Sequence, residues 1–171
     1  MIVLLAGLPG TGKSTLAREL AARTRGRVLS KDAIRHAIFA EAEIEYSSAQ
    51  DDFCLQVMLE TAAYLLSRNP ERAIFLDGRP FSRRYQIENV VAAADRLNQP
   101  WRIFECVCSE ETVRRRLEAD AASGAHPAEN RNYQLYLEVK ARFEAIAFPK
   151  TVIDTDCDLE ACIEQAAGAL A

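Results

Sequence analysis

The chain has 171 residues, of which 49% are hydrophobic and 27% charged, with a formal net charge of −4. This size predicts one globular domain over residues 1–171. The acidic balance disfavours a protein that binds duplex nucleic acid, which usually presents a basic face. No apolar run reaches membrane-spanning length, and the N-terminal run lacks the features of a signal peptide, so we expect a cytoplasmic protein.

Five short apolar runs, several of them continuous rather than alternating, are typical of strands buried on both faces of a parallel sheet. They are residues 2–6, 27–30, 73–77, 102–108 and 151–155. Helical patterns separate them at 14–25, 48–67, 83–98, 110–122, 132–146 and 158–170, with a further helix after Ser30. The expected N-cap residues are Ser30, Ser47 (in a capping box with Gln50), Ser82, Ser109 and Asp158. Strands alternating with helices predict an α/β fold.

The first helix is preceded by GLPGTGKST, residues 7–15, which fits the phosphate-binding pattern G-x-x-x-x-G-K-[ST]. Glycines let successive N–H groups turn toward an anion, and the helix N-terminus adds its dipole. Lys13 is expected to reach the β- and γ-phosphates of a nucleotide, and Ser14 to bind Mg²⁺. The spacing does not fit the Rossmann pattern. The expected nucleotide-binding residues are Gly7, Pro9, Gly10, Thr11, Gly12, Lys13, Ser14 and Thr15.

An acid and an arginine follow the second strand, in LSKDAIR at residues 29–35. Asp32 lies in the first turn of the next helix, and Arg35, three residues on, faces the same side. Strand ends in such sheets face the ligand crevice. Asp32 is therefore expected to accept a proton from a substrate hydroxyl, and Arg35 to hold the substrate or the transferring phosphoryl group.

The third strand ends in Asp77, the position that commonly orders Mg²⁺ in phosphate-loop proteins. Arg79 follows in the loop and is expected to contact substrate or phosphate. Arg83 and Arg84 begin the next helix, where a cation is disfavoured unless an anion lies nearby. Arg83 is a candidate substrate contact, while a solvated position stays open for both arginines.

The helix–loop–helix at about 112–134 is predicted to be a lid, which excludes water and supplies arginines on closing. Val113 and Leu117 face the core, so Arg114, Arg115 and Arg116 point in different directions. Arg116 and Arg131 are the candidate catalytic arginines of the lid. Pairing along the helix, of Arg116 with Asp120 or Arg114 with Glu118, stays an alternative.

The chain resembles a small group of P-loop kinases related in fold to shikimate, gluconate and adenylylsulfate kinases, chloramphenicol phosphotransferase, zeta toxins and phage polynucleotide kinase. The resemblance extends from the phosphate loop through SKDAIR and FLDGR to VIDTDCDLE near the C-terminus. It implies ATP-dependent phosphorylation of a hydroxyl and places Thr155 and Asp156 near the adenine. Lids of this group often carry a second arginine where this chain has Asp120, so Arg131 is expected to substitute for that charge.

These observations together predict an α/β P-loop NTPase fold of the nucleoside-monophosphate-kinase-like type, with five parallel strands in the order 2-3-1-4-5 flanked by helices. ATP and Mg²⁺ are the expected cofactors, and a small polar alcohol is the expected substrate. A polynucleotide 5′-hydroxyl kinase and a zeta-toxin-like nucleotide-sugar kinase stay open, although the acidic charge disfavours nucleic acid. A nucleotide-dependent switch or hydrolase that binds a protein partner also stays open. The substrate identity, the choice of ATP or GTP and the oligomeric state are not predicted.

Overall fold

The computed structural model describes residues 1–123 and 132–170. Its five strands form one parallel sheet in the order β2-β3-β1-β4-β5, which confirms the predicted architecture and strand order. The strands are β1 Ile2–Ala6, β2 Arg27–Ser30, β3 Ile74–Asp77, β4 Trp101–Val107 and β5 Thr151–Asp154.

Seven α-helices flank the sheet within the described ranges. They are α1 Lys13–Thr24, α2 Lys31–Ile38, α3 Ser48–Arg68, α4 Arg84–Arg96, α5 Glu110–Ser123, α6 Tyr133–Ala141 and α7 Leu159–Gly168. A short 3₁₀ helix, Glu41–Glu43, lies between α2 and α3. None of the helices in these ranges combines the length and apolar character needed to cross a bilayer.

The central strand β1 is buried along its whole length and joins two apolar cores. Successive side chains of a strand point to opposite faces of the sheet. Ile2 and Leu4 accordingly pack into the core under α3 and α4, while Val3 and Leu5 pack into the core under α1 and α7. Both faces are covered, which explains why this strand is a continuous apolar run.

The carboxyl ends of the strands meet at one edge of the sheet and bring distant residues together. The phosphate loop leaves β1 there, and Ser30 at the end of β2 is in register with Asp77 at the end of β3. Thr155 follows β5 at the same edge, and its amide donates to the carbonyl oxygen of Val107 at the end of β4 (2.8 Å). Residues from five sequence segments therefore surround one crevice.

Four of the five predicted N-caps are confirmed, while the N-cap of α4 and the end of α6 differ from the predictions. Ser30, Ser47, Ser109 and Asp158 each accept a backbone amide of their helix. The prediction of Ser82 as an N-cap is wrong: the N-cap of α4 is Arg83, and the Glu144 carboxylate accepts the amide of Arg84 instead (2.7 Å). Helix α6 ends at Ala141 and not at residue 146, because the Glu144 amide donates to the carbonyl oxygen of Ser82 (2.9 Å) and does not continue the helix.

The capping box expected at the start of α3 is only half formed. The Gln50 amide donates to Ser47 Oγ (3.1 Å), but the side chain of Gln50 accepts from the amide of Glu45 instead of that of Ser47. The Gln50 side chain thereby joins the start of α3 to the segment before it.

Candidate active site

The phosphate loop, residues 7–14, connects β1 to α1 with a tightly curled backbone. Gly7, Gly10 and Gly12 have φ angles of 129°, 82° and 81°, in the region that side chains disfavour. A Cβ atom at Gly7 would overlap the carbonyl oxygen of Cys106. Gly12 is the N-cap of α1 and offers no side-chain acceptor, so the first amides of the helix are left for an anion.

Lys13 and Thr11 hold the loop in this shape through one shared acceptor. Lys13 Nζ and Thr11 Oγ1 both donate to the carbonyl oxygen of Leu8, at 2.7 and 2.8 Å. Lys13 is 8% exposed, so its ammonium group lies at the wall of the crevice and not in bulk solvent. The loop therefore presents a positive charge beside the first amides of α1.

Two cavities open on either side of this loop. The larger cavity, of about 770 Å³, is lined by Gly10, Gly12, Thr15, Arg116, Thr155 and Cys157, among others. The smaller cavity, of about 260 Å³, is lined by Pro9, Lys13, Arg35, Arg79, Arg83 and Val139, among others. Ser14 and Asp32 line both. A group held in one cavity can thus meet a group held in the other beside these two side chains.

Asp32 is held at this junction by two buried cations. Its Oδ1 pairs with Arg35 Nη1 at 3.0 Å and lies 3.4 Å from Lys31 Nζ. Both cations also pair with Asp51 of α3, and Lys31 Nζ lies 2.8 Å from Asp51 Oδ1. Arg35 is fully buried, and its guanidinium lies 5.0 Å from the centre of the Tyr46 ring. This cluster of two cations and two carboxylates fixes the Asp32 carboxylate in place.

Asp77 is buried at the end of β3 with an unused acceptor. The residue is 5% exposed, and its Oδ1 has no hydrogen-bond partner among the described residues. The next residue, Gly78, has a φ of 93° and passes close to α2, since a Cβ there would lie 3.1 Å from the Lys31 nitrogen. A buried carboxylate oxygen of this kind suits a cation or its bound water.

Arg79 is also buried, at 2% exposure, and lines the smaller cavity. Its Nη2 pairs with Asp52 Oδ1 at 2.6 Å, while Nε and Nη1 have no partner in the described part of the chain. Arg83 lines the same cavity but pairs with the exposed Glu144 at 2.9 Å. The neighbouring Arg84 pairs with Glu88 on the solvated face of α4.

Helix α5 covers the phosphate loop. Val113 and Leu117 are buried against Leu8, as predicted, and Val113 would lie 3.1 Å from a Cβ at Gly10. The three consecutive arginines point apart: Arg114 stacks on the ring of Tyr133 at 4.1 Å, and Arg115 lies beside Thr112. Arg116 alone of the three lines the larger cavity. The other candidate lid arginine, Arg131, lies outside the described residues.

Arg116 binds the segment after β5. Its Nη2 donates to the carbonyl oxygen of Thr155 at 2.7 Å, and its Nη1 to the hydroxyl of that residue at 2.9 Å. Asp156, the other residue expected near the adenine, accepts the amide of Ser109 at the start of α5 (2.7 Å). The hydroxyl of Thr112 and the Ser109 amide hold the pKa of Asp156 below its usual value. Thr155 therefore lines the larger cavity, and Asp156 anchors the start of α5.

Several residues of the site were not predicted from the sequence. Lys31, Asp51 and Asp52 complete the ion pairs around Asp32 and Arg79, and Arg142 lines the smaller cavity. The adjacent acids Asp51 and Asp52 in the first turn of α3 resemble ordinary helix-dipole partners. Their position opposite Arg35 and Arg79 depends on how α3 packs, which no local pattern reveals.

The sheet order, the glycine-rich loop and the two cavities define an α/β P-loop NTPase fold with a nucleotide-binding loop. The AAA_33 family model, described as an AAA domain, matches residues 2–146. The chain therefore belongs to this family of P-loop kinases. No curated protein matches the sequence significantly.

Solved structures with the same fold include several kinases. A candidate kinase from Chloroflexus aurantiacus has a TM-score of 0.75 and 22% identity, over 98% of this chain and 96% of that one. The Mycobacterium tuberculosis APS kinase CysC, in complex with AMPPNP and APS, has a TM-score of 0.70 and 17% identity, over 99% and 94%. A gluconokinase from Sinorhizobium meliloti has a TM-score of 0.69 and 17% identity, over 98% and 90%.

Proposed function

We propose that this protein transfers the γ-phosphoryl group of ATP to a hydroxyl of a small polar substrate. The observation that carries the proposal is the junction of the two cavities at Ser14 and Asp32. The nucleotide lies in the larger cavity with its phosphates on the glycine-rich loop, and the acceptor lies in the smaller one. The kinase family of the chain supports this assignment, as does the AMPPNP held by the similar APS kinase fold.

In the proposed reaction, each charged side chain of the site has a defined role. The acceptor oxygen forms a bond to the γ-phosphorus, the bond from that phosphorus to the β–γ bridging oxygen breaks, and Asp32 takes the hydroxyl proton. Lys13 and Arg116 neutralise charge on the phosphoryl oxygens, for which Arg116 exchanges its bonds to Thr155. Arg35 and Lys31 act through Asp32, because they hold its carboxylate toward both cavities. The products are ADP and a phosphate monoester.

The residues at the end of β3 and the start of α1 fit Mg²⁺. The Ser14 hydroxyl would bind it directly, and the unpartnered Oδ1 of Asp77 would hold it directly or through water. Mg²⁺ in this position would neutralise the phosphate oxygens. The proposal therefore includes ATP and Mg²⁺ as the cofactor pair.

The size of the smaller cavity favours a small acceptor. At about 260 Å³ it falls below the range of about 300–1,000 Å³ that drug-sized ligands occupy. A polynucleotide would have to leave most of its length outside.

The five free cysteines agree with the cytoplasmic location that we propose.

A phosphoryl-transfer screen tests the proposed function. Purified protein with ATP and Mg²⁺ is incubated with pools of sugars and polyols, hydroxy acids, amino alcohols, phosphate esters, nucleosides and 5′-hydroxyl oligonucleotides. ADP release and a mass increase of one phosphoryl group in a single pool would support it. Lys13→Ala is the blank, and Lys140→Ala, on the exposed face of α6, is the matched control.

The screen also separates the competing functions. Transfer to oligonucleotides alone would make the protein a polynucleotide kinase. ADP release with no phosphorylated product in any pool would contradict transfer to an alcohol and favour the switch or hydrolase alternative.

A further inference from the structure

We propose that the acceptor carries an anionic group in addition to its hydroxyl, and that Arg79 binds this anion in the smaller cavity. The inference rests on the proposed function, because it names the class of molecule that the same site accepts. The class is a hydroxylated carboxylate or phosphate ester.

The evidence is a buried guanidinium with unused donors. Arg79 is 98% buried, yet its Nε and Nη1 have no partner among the described residues. Only Nη2 is paired, with Asp52. Leaving charged donors buried and unsatisfied is costly, and an anion in the cavity would satisfy both through charge-assisted hydrogen bonds.

The position of Arg79 assigns this anion to the acceptor and not to the nucleotide. Arg79 lines the smaller cavity and not the larger one. The nucleotide phosphates on the glycine-rich loop already meet Lys13 and the amides of α1. Lys13 also lines the smaller cavity, but it belongs to that loop, whereas Arg79 follows β3 outside the loop, so we assign an anion at Arg79 to the acceptor.

The remaining charges of the smaller cavity agree with an anionic ligand. The cations Lys31 and Arg35 are balanced by Asp32 and Asp51, so this cluster adds no net charge. Arg83, paired with Glu144, lines the cavity from α4. Arg142 lines it from the end of α6, and its side chain forms no ion pair with any described residue. Arg142 therefore adds positive charge to this cavity, and Arg79, whose Nη2 is paired with Asp52, adds two unused donors.

The cavity separates the two recognised groups of the acceptor. Asp32 lies at its junction with the larger cavity, whereas the side chains of Leu135 and Val139 supply apolar wall from α6. The ligand that fits has a hydroxyl toward Asp32, an anion toward Arg79 and a short carbon skeleton between them.

Matched pairs of compounds test the inference. Transfer and binding are measured for hydroxy acids (glycerate, gluconate, malate), for glycerol 3-phosphate, and for the neutral partners glycerol and glucitol. Binding is followed by thermal shift with AMPPNP and Mg²⁺ present at saturation, so that the glycine-rich loop is filled. We expect only the anionic compounds to stabilise the protein or accept the phosphoryl group. Comparison of the hydroxy acids with glycerol 3-phosphate shows whether the site takes a carboxylate or a phosphate.

Three variants separate ligand binding from a structural role. Arg79→Gln should raise the acceptor KM about 10- to 100-fold, from the loss of charge-assisted hydrogen bonds, with the ATP KM nearly unchanged. Asp52→Asn breaks the ion pair but keeps the guanidinium, so anion binding should be retained or strengthened. Arg79→Lys, which keeps the charge, should partly restore binding.

The outcomes distinguish this inference from the proposed function. A neutral acceptor whose KM is unaffected by Arg79→Gln would overturn the inference and leave the transferase. The absence of anion-dependent stabilisation, or equal stabilisation in the wild type and in folded Arg79→Gln, would also overturn it. Arg79-dependent anion binding without transfer to any compound would support the anion site and contradict the proposed function. A change confined to the KM for ATP would reassign Arg79 to the nucleotide.

Discussion

Arg116 donates to both the backbone carbonyl oxygen and the side-chain hydroxyl of Thr155, at 2.7 and 2.9 Å, and thereby ties α5 to the end of β5. The same guanidinium reaches the carbonyl oxygen of Gly10 in the phosphate loop at 3.3 Å. One arginine thus joins α5 to the phosphate loop and to the segment after β5. In the proposed role in charge neutralisation, Arg116 leaves some of these acceptors for phosphate.

Replacing Arg116 by alanine should therefore lower turnover by about 100- to 1,000-fold, the usual effect of removing one preorganised donor to a transition state. Steady-state kinetics would measure this loss. Arg115→Ala is the matched control, because Arg115 lies on the same helix and points toward Thr112. Equal turnover in the two variants would remove Arg116 from the catalytic set.

Gly78→Ala should distort the backbone at the candidate site and destabilise the protein. The φ of 93° at Gly78 disfavours a side chain, and the added Cβ would lie 3.1 Å from the Lys31 nitrogen and 3.2 Å from Asp32 Oδ2. We expect a loss of about 1–3 kcal/mol in the free energy of unfolding, with reduced activity. Chemical denaturation would measure it, and Gly168→Ala, where no atom lies within 4 Å, is the control. A fully stable Gly78→Ala would show that the loop adapts.

The cysteines should differ sharply in reactivity. Burial raises the pKa of Cys106 to about 12, so its thiolate is scarce throughout pH 6–9 and becomes populated only as the pH rises toward that value. Cys157 is exposed and lines the larger cavity. Iodoacetamide labelling with mass spectrometry at pH 8 should modify Cys157 and spare Cys106, and AMPPNP with Mg²⁺ should slow the reaction at Cys157. An equal rate of Cys157 labelling with and without AMPPNP would show that the nucleotide binds elsewhere.

Asp156 should stabilise the protein in a pH-dependent way. The Thr112 hydroxyl and the Ser109 amide lower its folded-state pKa, so its contribution is present above the unfolded-state value and is lost as the pH falls through the lowered folded-state pKa. Asp156→Asn should therefore be less stable than the wild type at pH 7, and the difference should shrink in acid. Urea unfolding at a series of pH values would measure it, with the exposed Asp95→Asn as control. A pH-independent difference would contradict the assignment.

The sheet and the phosphate loop were predictable because their signals are local. Continuous apolar runs such as residues 2–6 mark strands covered on both faces, and the spacing from Gly7 to Ser14 specifies a loop with one known use. The strand order 2-3-1-4-5 follows from the family resemblance. Asp32 and Asp77 were found because both lie at carboxyl ends of parallel strands, which meet at one edge.

The rest of the site depends on contacts between distant segments. Lys31 meets Asp51 twenty residues away, and Arg79 meets Asp52, only because α3 packs beside α2 and the loop after β3. The roles of Arg35 and Arg83 stay predictions, since the structure pairs the first with Asp32 and Asp51 and the second with Glu144. Thr155 and Asp156 are adjacent, yet the first lines the larger cavity and the second binds the start of α5.

The most direct test of the account is acceptor-dependent ADP release by Asp32→Asn, measured beside its nucleotide affinity. The variant keeps the shape of the side chain and removes its ability to take a proton, so turnover should fall by about 100- to 10,000-fold. The affinity for AMPPNP should stay within a few-fold of that of the wild type. ADP release that needs no acceptor and is unaffected by Asp32→Asn would contradict the account.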